Sequence, residues 1–128
     1  MADLDPKKVL VIDNDSDSLE PLERTLRDHG IQPIVLRRGE QALKRVKDEK
    51  PGAVILELAL PDRDGRSVIK ELKDDWDAKK VPIVVLSNYP NRLDRKEREQ
   101  VEAVLGKPAD WDDVFDHVQK AIARAQSN

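Results

Sequence analysis

The chain has no cysteine. That excludes a disulfide framework and a thiol nucleophile, and it fits a reducing compartment such as the cytoplasm. Aromatic residues are scarce too, at 3% of 128 residues. The core must therefore be aliphatic, and base stacking on aromatic platforms has few residues to work with. No apolar run approaches membrane-spanning length. The opening Met1-Ala2-Asp3-Leu4-Asp5-Pro6 has no basic stretch followed by an apolar one, so neither a secretory signal nor a membrane partner is expected. An excess of one charge sign is also missing. Asp, Glu, Lys and Arg make up 38% of the chain, but they are mixed to a net of -3, which argues against nucleic acid as a partner.

What is present is a repeated pattern of short apolar runs that end in polar residues. The length predicts a single domain spanning residues 1–128. Val54-Ile55-Leu56 leads to Glu57 and then to Pro61-Asp62-Arg63-Asp64-Gly65. So apolar a run, bounded by Pro51-Gly52 and Pro61, fits a strand buried on both faces. An acid at its tail lies where open α/β sheets hold ligands, beyond the carboxyl ends of the strands. Val9-Leu10-Val11-Ile12 runs into Asp13-Asn14-Asp15 in the same way, and Val81 to Leu86 runs into Ser87-Asn88. A peripheral strand is expected over 31–36, because Pro33 confines it to a sheet edge, and a fifth over 101–105, ahead of Gly106-Lys107-Pro108.

Helical spacing separates these runs. Leu19, Leu22 and Leu26 predict a first helix, opened by Asp17 with Glu20 as a capping box and stopped by Gly30. A second is expected over 39–50, and a third is marked by Val68, Ile69, Leu72 and Trp76. A weakly anchored fourth falls in the charge-dense stretch 90–100. Trp111, Val114, Phe115, Val118 and Ile122 give the strongest stripe and predict a last helix. Five strands alternating with five helices imply an α/β fold with a doubly wound parallel sheet. One rim of that sheet collects Asp13, Asn14, Glu57, Ser87 and Lys107.

These residues resemble the receiver domain of bacterial two-component response regulators. The resemblance rests on Val-Leu-Val-Ile-Asp-Asn-Asp at 9–15, Pro-Asp-Arg-Asp-Gly at 61–65, Val-Pro-Ile-Val-Val-Leu-Ser at 81–87, and Lys107-Pro108. It covers a core of about residues 7–125. It implies a CheY-like, flavodoxin-like (βα)5 fold with strand order 2-1-3-4-5, and phosphorelay signalling rather than catalysis. It places Glu57 at the phospho-acceptor position, Ser87 and Lys107 in the switch and phosphate pocket, and Asp13, Asn14, Glu57 and the Ala59 carbonyl at a Mg2+ site. Pro108 would follow a cis bond. The implied partners are a histidine kinase or an output domain, meeting the face of the fourth helix, fifth strand and fifth helix, with a homodimer as a further option.

Two departures alter the chemistry. Glu57 stands where the family has aspartate, and its extra methylene moves the carboxylate by about 1.5 Å. Misplacement on the order of 1 Å costs about a hundredfold in positioned chemistry, so Glu57 is expected to be a poor acceptor. Asn14 removes a carboxylate from a hard-cation site, so Mg2+ is expected to bind weakly or be lost. The switch differs too: Val104 lies three before Lys107, where receivers often carry an aromatic, and the segment 87–107 is short. The expectation is a pseudo-receiver that works independently of phosphorylation. In it Glu57 either holds one signalling state by reaching Lys107 or Ser87, or forms a structural ion pair with Lys107. The alternatives are a haloacid-dehalogenase-like phosphatase, read from the D-x-D of Asp13 and Asp15, and an inert scaffold. Length and the lack of a further acidic motif weigh against the phosphatase.

Overall fold

The computed structural model describes residues 3–127; Met1, Ala2 and Asn128, the ends of the expected 1–128 domain, lie outside the described residues. Strands and helices alternate as β1 Asp5–Ile12, α1 Ser16–Asp28, β2 Gln32–Leu36, α2 Ala42–Glu49, β3 Pro51–Leu56, α3 Gly65–Asp74, β4 Ile83–Ser87, α4 Arg95–Glu99, β5 Ala103–Gly106 and α5 Trp111–Gln126. All pairings are parallel, and the sheet order is β2-β1-β3-β4-β5. The expected doubly wound α/β architecture is thus the observed one.

The core has two halves because strand side chains alternate between faces. Leu10, Ile12, Val54, Leu56, Ile83 and Val85 face one side, where Ala42 and Val46 of α2 and Val68, Ile69 and Leu72 of α3 cover them. Val9, Val11, Ile55, Val84 and Leu86 face the other, under Leu19, Leu22 and Leu26 of α1 and Val114, Val118 and Ile122 of α5. The three central strands are buried on both sides, which is why they read as unbroken apolar runs. β2 lies at one edge, with Pro33 opposite Val9 of β1, as its proline requires.

Several boundaries differ from expectation for identifiable reasons. β1 begins four residues early at Asp5, where residues 5–8 are half-buried or exposed and so give no hydrophobic signal. α1 is capped by Asp15, whose side chain accepts from Asp17 N–H, rather than by an Asp17–Glu20 box. Pro21 consequently sits in the second turn. The real capping box opens α4: Asp94 accepts from Glu97 N–H at 2.8 Å and Glu97 accepts from Asp94 N–H at 2.9 Å. α3 stops at Asp74, so Trp76 is not part of its buried stripe and is 72% exposed. No helix among the described residues is long and apolar enough to cross a membrane.

Candidate functional site

The parallel sheet delivers its strand ends to one rim, so residues far apart in sequence meet there. Asp13 follows the last residue of β1, and Glu57 follows β3 directly. Their backbones are fixed by neighbouring strands: Glu57 N–H donates to Ile12 C=O at 3.0 Å, and Asp13 N–H donates to Leu36 C=O at 2.9 Å. Lys107 follows β5, and its N–H donates to Ser87 C=O at the end of β4. The Lys107–Pro108 bond is cis.

Lys107 is the hub. Its Nζ lies 2.7 Å from Asp13 Oδ2, 3.3 Å from Glu57 Oε1 and 3.7 Å from Asp15 Oδ2. The side chains of Lys107, Asp13 and Glu57 are only 5%, 3% and 4% exposed, whereas Asp15 is 38% exposed. Burial pushes the Asp13 carboxyl above its ordinary pKa, against the pull of the hydrogen bonds from Lys107 and Asp15 N–H; the Glu57 charge adds to the rise. Burial also works against the Lys107 ammonium. The hydrogen bond and charge of Asp13, with the charge of Glu57, outweigh it and hold Lys107 above the usual lysine range. The ammonium therefore keeps two crowded, desolvated carboxylates tolerable.

Glu57 has a second set of partners. Its Oε2 accepts from Leu58 N–H at 2.7 Å and Ala59 N–H at 3.5 Å, and its Oε1 accepts from Asn88 N–H at 3.4 Å besides Lys107. The β3–α3 turn that sets these amides depends on Gly65, where an added Cβ would sit 2.6 Å from Leu58 Cα and 2.8 Å from Glu57 C=O. The close approach requires glycine. Asp62 ties the same turn to the β2–α2 loop by accepting Gly39 N–H at 2.8 Å.

Of the residues expected at the rim, the structure joins Asp13, Glu57 and Lys107 directly. Ser87 is fully buried beside them, but its Oγ accepts Tyr89 N–H at 2.9 Å, with no hydrogen bond to Glu57. Asn14 is exposed, and its carbonyl accepts from Arg37. Ala59 contributes its N–H to Glu57 and pairs with Asp64 across the turn. The Asp15 side chain, absent from the expected set, faces Lys107 while capping α1; the D-x-D spacing ahead of a helix start was its signal. The amides of Leu58 and Asn88 were also missed, since backbone donors leave no trace in side-chain type.

Of the residues assigned to Mg2+, Asp13 and Glu57 both face the Lys107 ammonium. Lys107 Nζ already bridges Asp13 and Glu57, Asn14 is exposed, and among the described residues no group of three or more acidic or imidazole side chains is placed to hold a metal.

The chain is 32% identical to the response regulator Rcp1 of Synechocystis over 127 residues, covering 89% of this chain and 85% of Rcp1. Other curated relatives are longer, and the chain spans 37% of their length. A sensor protein from Polaromonas superposes with a TM-score of 0.84 at 28% identity, covering 94% of this chain and 98% of that one. The receiver domain of the sensor histidine kinase PA1611 from Pseudomonas aeruginosa, solved with a magnesium ion coordinated in its active-site cleft, has the same fold, with a TM-score of 0.81 at 22% identity over 93% and 99% of the two chains. The family model for the response regulator receiver domain matches residues 9–119, and the chain therefore belongs to that family.

Proposed function

We propose that this chain is a receiver that signals through protein–protein contacts without accepting a phosphoryl group at position 57. The observation that carries this reading is the saturation of the Glu57 carboxylate. Each of its oxygens takes two donors, Oε1 from Lys107 and Asn88, and Oε2 from Leu58 and Ala59. In-line phosphoryl transfer needs a free, aligned carboxylate oxygen and donors left over for the transferred group. Here the longer side chain curls back into its own strand-end amides and fills that place itself. The pocket of Lys107 and the amides is thereby held closed around an anion without phosphate.

The same arrangement supports weak Mg2+ binding, because a cation among Asp13, Asn14, Glu57 and Ala59 would have to displace the Lys107 ammonium from two carboxylates. Bound there, Mg2+ would neutralise charge on a phosphoryl group. Receivers in general are non-enzymatic modules, and this one would act as a single cytoplasmic domain with its core near residues 7–125. Its partners would be a histidine kinase or an output domain, or a second copy in a homodimer. The docking face would be α4, β5 and α5, where α4 buries none of its residues.

The test is exposure to acetyl phosphate, or to beryllofluoride, with Mg2+, read by intact mass and by NMR on the natural chain and on Glu57→Asp. The natural chain should show no adduct and no shift. Shortening the side chain by about 1.5 Å should free the amides and Lys107 and produce a response in Glu57→Asp. A stable phosphoryl adduct on the natural chain would overturn the proposal.

A further inference from the structure

The opposite rim of the sheet, at the amino ends of its strands, carries a feature the receiver reading does not use. Beyond α3 the chain turns through Asp75-Trp76-Asp77 into a 3-10 turn, Ala78–Lys80. The turn is tightly held. Asp75 Oδ2 accepts Ala78 N–H at 2.9 Å and Asp77 N–H at 3.1 Å, while its Oδ1 takes the Lys47 ammonium at 3.1 Å. Ala78 and Val81 anchor the turn in the core. Trp76 is thus presented to solvent, 72% exposed, from a fixed backbone.

Although Asp75 and Asp77 flank it in sequence, the groups facing its ring are lysines. Lys79 Nζ stands 4.1 Å from the indole centroid and Lys80 Nζ 5.9 Å from it. Lys73 lies beside them, donating only to the carbonyls of Lys79 and Val81 at 3.1 and 3.3 Å, and burial lowers its pKa. Among the described residues, none of these three lysines has a carboxylate within ion-pairing distance, in a chain where most other buried or half-buried cations do. All three line one cleft together with Asp3, Pro82, Glu102 and Arg124; Arg124 is matched by Glu102 at 2.6 Å, which sets three lysines against the one further carboxylate of Asp3.

We propose that Trp76, Lys73, Lys79 and Lys80 form a docking surface for an acidic protein segment, one that sets an apolar side chain against the indole and carboxylates against the three lysines. A rigid, exposed tryptophan is the residue type that most often dominates a binding interface. Lysines without acidic partners supply charge complementarity and faster encounter without first breaking an internal ion pair. A membrane surface fits less well, because the patch offers one aromatic and a few lysines and no amphipathic helix face.

The experiment is 15N-labelled NMR on the whole chain, with the Trp76 indole N–H assigned by its loss in Trp76→Phe. The probe is a short synthetic peptide of alternating Glu and Leu; the controls are its Lys-for-Glu counterpart, phosphatidylserine vesicles and duplex DNA. The expected result is saturable shifts of the Trp76 indole and of residues 73–82 with the acidic peptide alone. Affinity should fall about tenfold in Lys79→Glu/Lys80→Glu with the fold unchanged by circular dichroism. Absence of saturable shifts, equal response to the basic peptide, or binding only to vesicles or DNA would each overturn the proposal.

Discussion

Replacing Lys107 by Met removes the ammonium and keeps most of the side-chain volume, so it isolates the charge at the rim. In the native chain the ammonium lies 2.7 Å from Asp13 Oδ2 and 3.3 Å from Glu57 Oε1. At an effective dielectric of about 20 these separations correspond to gross attractions of about 6 and about 5 kcal/mol. Desolvation of the three groups offsets most of that. The perturbation does not remove all three, however; it leaves two carboxylates that are 3% and 4% exposed with no cation between them. Removing one partner of such a buried set costs about 3–5 kcal/mol. On a total stability of about 5–15 kcal/mol this is a large fraction, readable as a lower urea midpoint with an unchanged slope. The pH dependence follows from the same groups. Asp13 already has a raised folded-state pKa, so its charged form opposes folding at neutral pH and its protonated form does not. Loss of the Lys107 hydrogen bond raises that pKa further. The deficit of Lys107→Met should therefore be largest near neutrality and shrink as pH falls and Asp13 takes up a proton. In the native chain the Lys107 contribution is fully present below the unfolded lysine pKa and disappears only as pH rises through its own raised value. The assay is urea unfolding followed by tryptophan fluorescence across the acidic to neutral range. A loss below about 1 kcal/mol at neutral pH, the size of an exposed pair, or a deficit that grows on acidification, would refute the reasoning.

Gly65→Ala should destabilise the chain by about 1–3 kcal/mol, the usual cost of overpacking, since the new Cβ meets Leu58 Cα at 2.6 Å and Glu57 C=O at 2.8 Å. Because the obstacles are backbone atoms, NMR should show the Leu58 and Ala59 amides shifting with it; a neutral substitution would mean the turn relaxes freely. Asp94→Ala removes the side chain that accepts Glu97 N–H and should cost about 1 kcal/mol. Hydrogen exchange should show that loss confined to α4, whose residues are all outside the core, and a uniform loss of protection would count against it.

The fold was legible because buried parallel strands leave unbroken apolar runs, and all five are in place. What escaped lies where the signal is polar or local. Residues 5–8 belong to a strand though none of them is buried, and the Asp94–Glu97 box opens a helix with no apolar face to announce it. Trp76 was placed in the stripe of α3 by spacing alone. Asp75 terminates that helix by accepting the next amides, which no periodicity reveals. At the rim, the approach of Glu57 to Lys107 across 50 positions followed from strand ends meeting at one edge. The closure of Glu57 onto Leu58 and Ala59 depends on a turn conformation and on backbone donors, and neither is written in side-chain identity.

The structural ion pair and the constitutive signalling state are therefore not rival accounts of Glu57, because the contacts belong to different parts of the carboxylate. Oε1 faces Lys107, and that contact alone would satisfy the bland reading of a buried acid beside its counter-ion. Oε2 takes the amides of the β3–α3 turn. An ion pair does not require those amides; an anion occupying the strand-end pocket does. A one-carbon longer acid beside the same lysine can reach both sets, since the added methylene lets the carboxylate turn back over its own peptide. That second set of donors ties the side chain to the backbone of the turn. On the proposed reading, the loss of phosphoryl acceptance at position 57 and the conformation held there have the same cause.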